Sequence, residues 1–200
     1  MKVLSIAILR VDANVENPLV LCQETELSSF GYFQRSTVGQ MLTFISRTLI
    51  KRTNKTERQS VAHDEYMCHC YLRADGLGAV IVTDKEYPSR VAFGLETRLL
   101  DDFDSKFVGR WKNAKNDNEL VLPSLSTTIK DYQDPAKCDK VTQINTQIEE
   151  TKNVLNKTIE NVLERGVVLD DLVAKSDDLT AQSKMFYKEA KKTNSCCSIF

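Results

Sequence analysis

Nothing in the 200 residues runs to 18 or more consecutive apolar positions, so no membrane-crossing helix is encoded. A basic excess is missing too. The 27 Lys+Arg are matched by 28 Asp+Glu, which excludes a general nucleic-acid binder and makes nucleic acid an unexpected partner. There are only two histidines, and no nucleophile elbow, P-loop or paired-carboxylate motif, so neither an enzyme nor a small-molecule substrate or cofactor is expected. The apolar run that starts at Val3 stops at Arg10 without a small-residue cleavage site, and reads as a strand rather than a signal peptide. The six cysteines match no disulfide framework, and free thiols in a reducing compartment are expected. His63, Cys68, His69 and Cys70 have no trusted metal spacing: Cys68 and Cys70 fall on one strand face and His69 on the other. No metal site is expected.

Proline and glycine also run out. All four prolines and six of the seven glycines precede residue 136; beyond it only Gly166 remains. Because these residues punctuate helices and strands, the architecture must change there.

The first part reads as α+β. Val3–Arg10 has the Val/Leu/Ile content of a buried strand, and 19–23 is a shorter partner. Over 37–52, Val38, Met41, Leu42, Ile45 and Leu49 make the stripe of an amphipathic helix, with Ser36 as its expected N-cap. Strands are expected over 65–73 and 77–83, joined by a turn at Ala74-Asp75-Gly76. Helices are expected over 91–103 and, interrupted at Pro123, over 119–132. Antiparallel hairpins with segregated helices imply one sandwich of about 130 residues. Phe44 lies roughly 100° from the stripe of its own helix, so it is expected at the rim of the core or facing solvent.

The second part carries a seam. Stepping alternately by three and four from Val141 gives Ile144, Ile148, Thr151, Leu155, Thr158, Val162, Arg165, Leu169, Leu172, Ser176, Leu179, Ser183, Phe186, Ala190 and Thr193. Ten of these sixteen are apolar and the period never slips, as a coiled coil requires. Arg165 stands at the centre, seven layers after the start and eight before the end. A guanidinium there costs desolvation unless partner helices bring acceptors, for which its five donors in a fixed fork are suited. The chain ends Cys196-Cys197-Ser198-Ile199-Phe200, a C-a-a-X prenylation signal with a second thiol beside it. A covalent prenyl group on Cys197 and a second lipid on Cys196 are therefore expected, since one chain anchors only weakly. Lys184, Lys188, Lys191 and Lys192 precede them and would favour an anionic leaflet.

Val162-Leu163-Glu164-Arg165 at the middle of sixteen layers resembles the R-SNARE (synaptobrevin) family, and with the lipid signal the branch with a longin domain and a prenyl anchor. The resemblance extends to 30–38, to 84–93 and to Tyr132-Gln133-Asp134-Pro135. It departs at Phe200, where the family more often has Met; Phe favours geranylgeranyl over farnesyl. It implies a profilin-like longin domain over 1–130, a linker over 131–136, one long SNARE coiled-coil helix over 137–194 and a lipidated tail over 195–200. It further implies that Arg165 meets three Gln side chains in a four-helix bundle with Q-SNAREs, driving vesicle docking and fusion in secretory or endosomal traffic. The cytosol and the cytoplasmic face of Golgi, ER, endosomal or vacuolar vesicle membranes are the implied locations. The Phe44 surface would fold back on the SNARE helix or hold the lipid. The alternative is a regulatory longin–coiled-coil protein that binds SNAREs without driving fusion.

Overall fold

The computed structural model describes residues 2–12, 17–138, 154–163 and 166–196, the last four by backbone only. At its centre is a sheet of order β2-β1-β5-β4-β3-β6. The strands are β1 (Val3–Arg10), β2 (Leu19–Thr25), β3 (Arg58–His63), β4 (Tyr66–Leu72), β5 (Leu77–Asp84) and β6 (Val154–Thr158). The first five pair antiparallel. β6 is parallel to β3, with Arg58 opposite Val154 and Ala62 opposite Thr158.

β1 and β5 are apolar without alternation because both of their faces are covered. Ile6, Ile8, Leu77, Ala79 and Ile81 face a core shared with α2 (Ser89–Lys106) and α3 (Leu125–Asp131). Leu4, Ala7, Leu9, Val80 and Val82 face a second core shared with α1 (Tyr32–Lys51). The α+β class expected from the sequence holds, with helices on both sides of the sheet. Gly76 makes the β4–β5 turn at φ +94°, and Gly78 sits close under its neighbours, where a Cβ would lie 3.0 Å from the Tyr71 carbonyl oxygen, tighter than ordinary contact.

Two local expectations are corrected and one strand is added. α1 starts a turn earlier than Ser36, with Gly31 at its N-cap and the Gln34 side chain accepting from the Gly31 N–H at 3.2 Å. The helix expected over 119–132 is confined to Leu125–Asp131, because Pro123 stops helix before it. β3 was not delimited in the sequence: it is polar except at Val61 and Ala62, and it becomes a strand by pairing on both edges.

The segment expected as one helix over 137–194 is not continuous here among the described residues. After β6 come three helices, α4 (Ile159–Val162), α5 (Leu169–Lys175) and α6 (Ala181–Cys196), with Gly166 at φ +88° between the first two. An amphipathic segment lowers its free energy by laying its apolar residues on an apolar surface, here α1 and the β3 edge.

Candidate functional site

The site is the seam between the sheet domain and the segment folded on it. β6 closes the β3 edge, which would otherwise present unpaired backbone groups. Lys157 pins it there, its Nζ donating to Glu57 Oε1 at 3.1 Å and to Gln59 Oε1 at 3.0 Å. On the other side Gln40 Oε1 accepts from the Thr180 N–H at 3.2 Å and from Ser183 Oγ at 2.9 Å. Arg47 Nη1 pairs with Asp178 at 2.7 Å, while its Nη2 pairs with Asp117 of the loop beside β2.

Gln40, Phe44 and Arg47 follow one another at helical spacing on one face of α1. Phe44 sits between two residues bonded to 178–183, and is only 7 % exposed. It belongs to the core cluster that also holds Ile159, Leu163, Leu169, Val173 and Leu179. The side chain that points away from its own helix's stripe is thus buried all the same, with its neighbours on that face held by the folded-back segment.

Of the seam residues, Leu169 and Leu179 are buried, and Val162, Leu172 and Phe186 are half-buried against the same core. Leu155 is 44 % exposed, since β6 turns it outward. Val141, Ile144, Ile148, Arg165 and Cys197 lie outside the described residues, as does the side chain of Cys196. The sequence reading missed Ile159, Leu163, Val173 and Tyr187. Each stands one position after a seam residue (Thr158, Val162, Leu172, Phe186), so a second apolar stripe beside the first was the available signal.

Below this seam lies a cavity of about 1010 Å³. Leu4, Val38, Met41, Leu42 and Ile45 line one wall, and Ile159, Leu163, Phe186 and Tyr187 the other. Charged residues stand at its edges, among them Lys85, Glu160, Asp170 and Lys191. Asp170 accepts from Lys191 Nζ at 2.5 Å and from the Tyr187 hydroxyl at 2.8 Å, and these two bonds hold its carboxyl below the usual range. Tyr187 moves the other way, its phenol pushed up by burial and by that acceptor.

Of the residues set aside as metal ligands, Cys68, His69 and Cys70 are packing groups, and His63 lines the cavity beside Asp64. Cys68 and Cys70 join the α1-side core, and burial pushes the Cys68 thiol up to about 12. His69 lies on the opposite face, with Nδ1 3.0 Å from Ser60 Oγ and its ring edge-on to Phe93; burial lowers its pKa to about 4. Among the described residues no group of three His, Cys, Asp or Glu side chains could hold a metal ion, and no helix is long and apolar enough to cross a membrane.

A two-sided sheet domain whose trailing heptad segment is folded across its own surface defines a class: coiled-coil proteins that carry a folded domain ahead of the zipper. The family models agree. Residues 27–129 match the Regulated-SNARE-like (longin) domain and residues 140–197 match synaptobrevin. The chain is 48 % identical to the synaptobrevin homolog YKT6 of Yarrowia lipolytica, covering 98 % of each chain. It is 45 % identical to the VAMP-like protein YKT61 of Arabidopsis thaliana over the full length of both. With YKT6 of Saccharomyces cerevisiae the identity is 46 %, covering 92 % of this chain and 93 % of that one. The chain therefore belongs to the YKT6-type longin R-SNAREs of the synaptobrevin family, which act in vesicle fusion without catalysing a reaction. Its partners are other SNAREs, and its place of action is the membranes of vesicle traffic.

Proposed function

We propose that this R-SNARE alternates between a closed form, in which the longin domain occupies the SNARE segment, and an open form that zips with three Gln-type helices. One observation carries the reading. Leu169 and Leu179, which a bundle must bury between helices, are already buried against α1 and the sheet. The same atoms cannot serve both contacts, so binding to partners requires release. In the open form the layers Val141, Ile144, Ile148, Leu155, Val162, Leu169, Leu172, Leu179 and Phe186 pack in the bundle, and Arg165 donates to three glutamine carbonyls at its centre. A prenyl group on Cys197 and a second lipid on Cys196 transmit the zipping force to the bilayer.

The cavity is the natural shelter for a lipid while the chain is closed. At about 1010 Å³ it stands at the upper end of the range of about 300–1,000 Å³ for ligand pockets, and its walls are apolar. The membranes served, whether Golgi, ER, endosomal or vacuolar, follow from the Q-SNAREs that the open form accepts.

The test compares the full chain with residues 137–200 alone in binding soluble Gln-type helices. The isolated segment should bind at least about tenfold faster, because no closed state has to open first. Equal rates would overturn the proposal.

A further inference from the structure

The first turn of α1 stands clear of the body. Residues 31–36 are all exposed, and among them Tyr32 and Phe33 are 78 % and 85 % exposed. Their rings meet edge to face, with centroids 5.5 Å apart. This is no frayed end. Gln34 caps the Gly31 N–H, and the Arg35 guanidinium folds back to donate to the Phe30 carbonyl at 3.1 Å and the Ser28 carbonyl at 3.3 Å. The backbone that carries the two rings is thus tied down, while the rings themselves stand in solvent, where they contribute nothing to the core.

We propose that Tyr32 and Phe33 form a docking foot that seats the closed protein on an anionic bilayer surface. Three observations select a lipid surface as the occupant. Aromatic rings of this kind settle at headgroup level, where one face is apolar and the other wet. The charge leans the same way, since the first turn of α1 has no acidic residue and carries Arg35, with Glu26 the nearby carboxylate that its guanidinium also attracts. On the folded-back segment, Lys188 and Lys192 are exposed as well, on either side of Lys191, which is paired with Asp170. Finally, the foot is continuous with the cavity. Phe30, two residues before Tyr32, lines that cavity together with Tyr187 and Lys191 of α6. A chain seated by the foot would bring this end of the cavity to the bilayer, so a sheltered lipid could pass into it without crossing water. That last consequence rests on the lipid-shelter reading; the docking itself does not.

The experiment uses the full, unlipidated chain and vesicles of phosphatidylcholine with one part in five phosphatidylserine. Sedimentation should show weak, salt-sensitive binding. In Tyr32→Ser/Phe33→Ser, binding should fall by about tenfold or more, with unchanged circular dichroism because both rings are exposed. Arg35→Gln should weaken binding to the anionic vesicles and leave neutral ones unaffected. Binding of a prenylated peptide by the cavity is measured in parallel and should not change, so a failed shelter and a failed foot read differently. Wild-type vesicle binding by the double variant would overturn the proposal. So would unchanged vesicle binding with lost capture of a Gln-type SNARE, which would make the foot a protein contact.

Discussion

Replacing Phe44 by Glu should open the molecule. Complete burial of a Phe side chain is worth about 1.5–3 kcal/mol. α1 and the sheet supply part of that cover, and 178–183, bonded to Gln40 and Arg47 on either side, supplies the rest. If the segment accounts for about half, Phe44→Ala weakens closure by about 1 kcal/mol, roughly a fivefold shift toward open. Glu adds the desolvation of a carboxylate with no partner in this core, a further penalty of about 2 kcal/mol or more. Together these shift the balance by about a hundredfold. Hydrogen exchange is the direct assay. Amides of Leu169–Lys175 and the β6 amides bonded to β3 should lose protection in proportion, while those of β1 and β5 keep theirs. In cells the membrane-bound fraction should rise. Unchanged protection of 154–192 in a variant whose sheet remains folded would refute the reasoning. If Phe44→Glu melts β1 and β5 as well, Phe44→Ala provides the test at smaller amplitude.

Four further outcomes are expected. Cys197→Ser should leave the protein wholly cytosolic and inactive in liposome mixing, whereas Cys196→Ser should keep weak membrane association without stable anchoring; fractionation of both against wild type decides. Arg165→Ala should leave the assembled bundle as stable or more so and impair its register or disassembly, and a complex that no longer forms would contradict this. Lys157→Glu replaces two bonds with repulsion from Glu57, so protection of Val154–Thr158 should drop by about 1 kcal/mol while α1 is untouched. The fourth concerns pH. His69 titrates near 4 when folded against 6.5 when exposed, so the unfolded chain binds the extra proton and stability falls as pH drops through that window, by about 3 kcal/mol in total. Glu96 acts oppositely. It is fully buried with neither carboxyl oxygen hydrogen-bonded, and desolvation raises its pKa well above 4.5, so stability is lost as pH rises past that value. Between 4.5 and 6.5 the two slopes offset each other. Denaturant titrations should therefore show a falling slope with rising pH in His69→Asn, a rising one in Glu96→Gln, and a shallow profile in wild type; parallel profiles in all three would refute the assignment.

The heptad seam from Val141 to Thr193, the central Arg165 and the terminal cysteine pair are local patterns, and the sequence by itself determined the class of protein through them. It also determined Val3–Arg10 to the residue and β4, β5 and α2 to within three residues at either end, since a strand buried on both faces and an amphipathic helix leave their periods in the residues. Gly31 as the cap of α1 was less legible, because Ser36 offers a better capping side chain and the early start depends on Gln34 reaching back. What only the tertiary structure decided is which surface of this chain buries the seam. Heptad spacing specifies a face to be buried, and a bundle of helices or the flank of a longin domain can bury it. The choice of β6 against β3 rests on backbone groups that β4 leaves open on one edge, and these are invisible in composition. The second stripe of Ile159, Leu163, Val173 and Tyr187 becomes meaningful only once α1 lies opposite. Phe44 gives the same lesson from the other side: its angle on the helical wheel was readable, but whether water or Leu179 would lie over that face depended on contacts more than a hundred residues away in the chain.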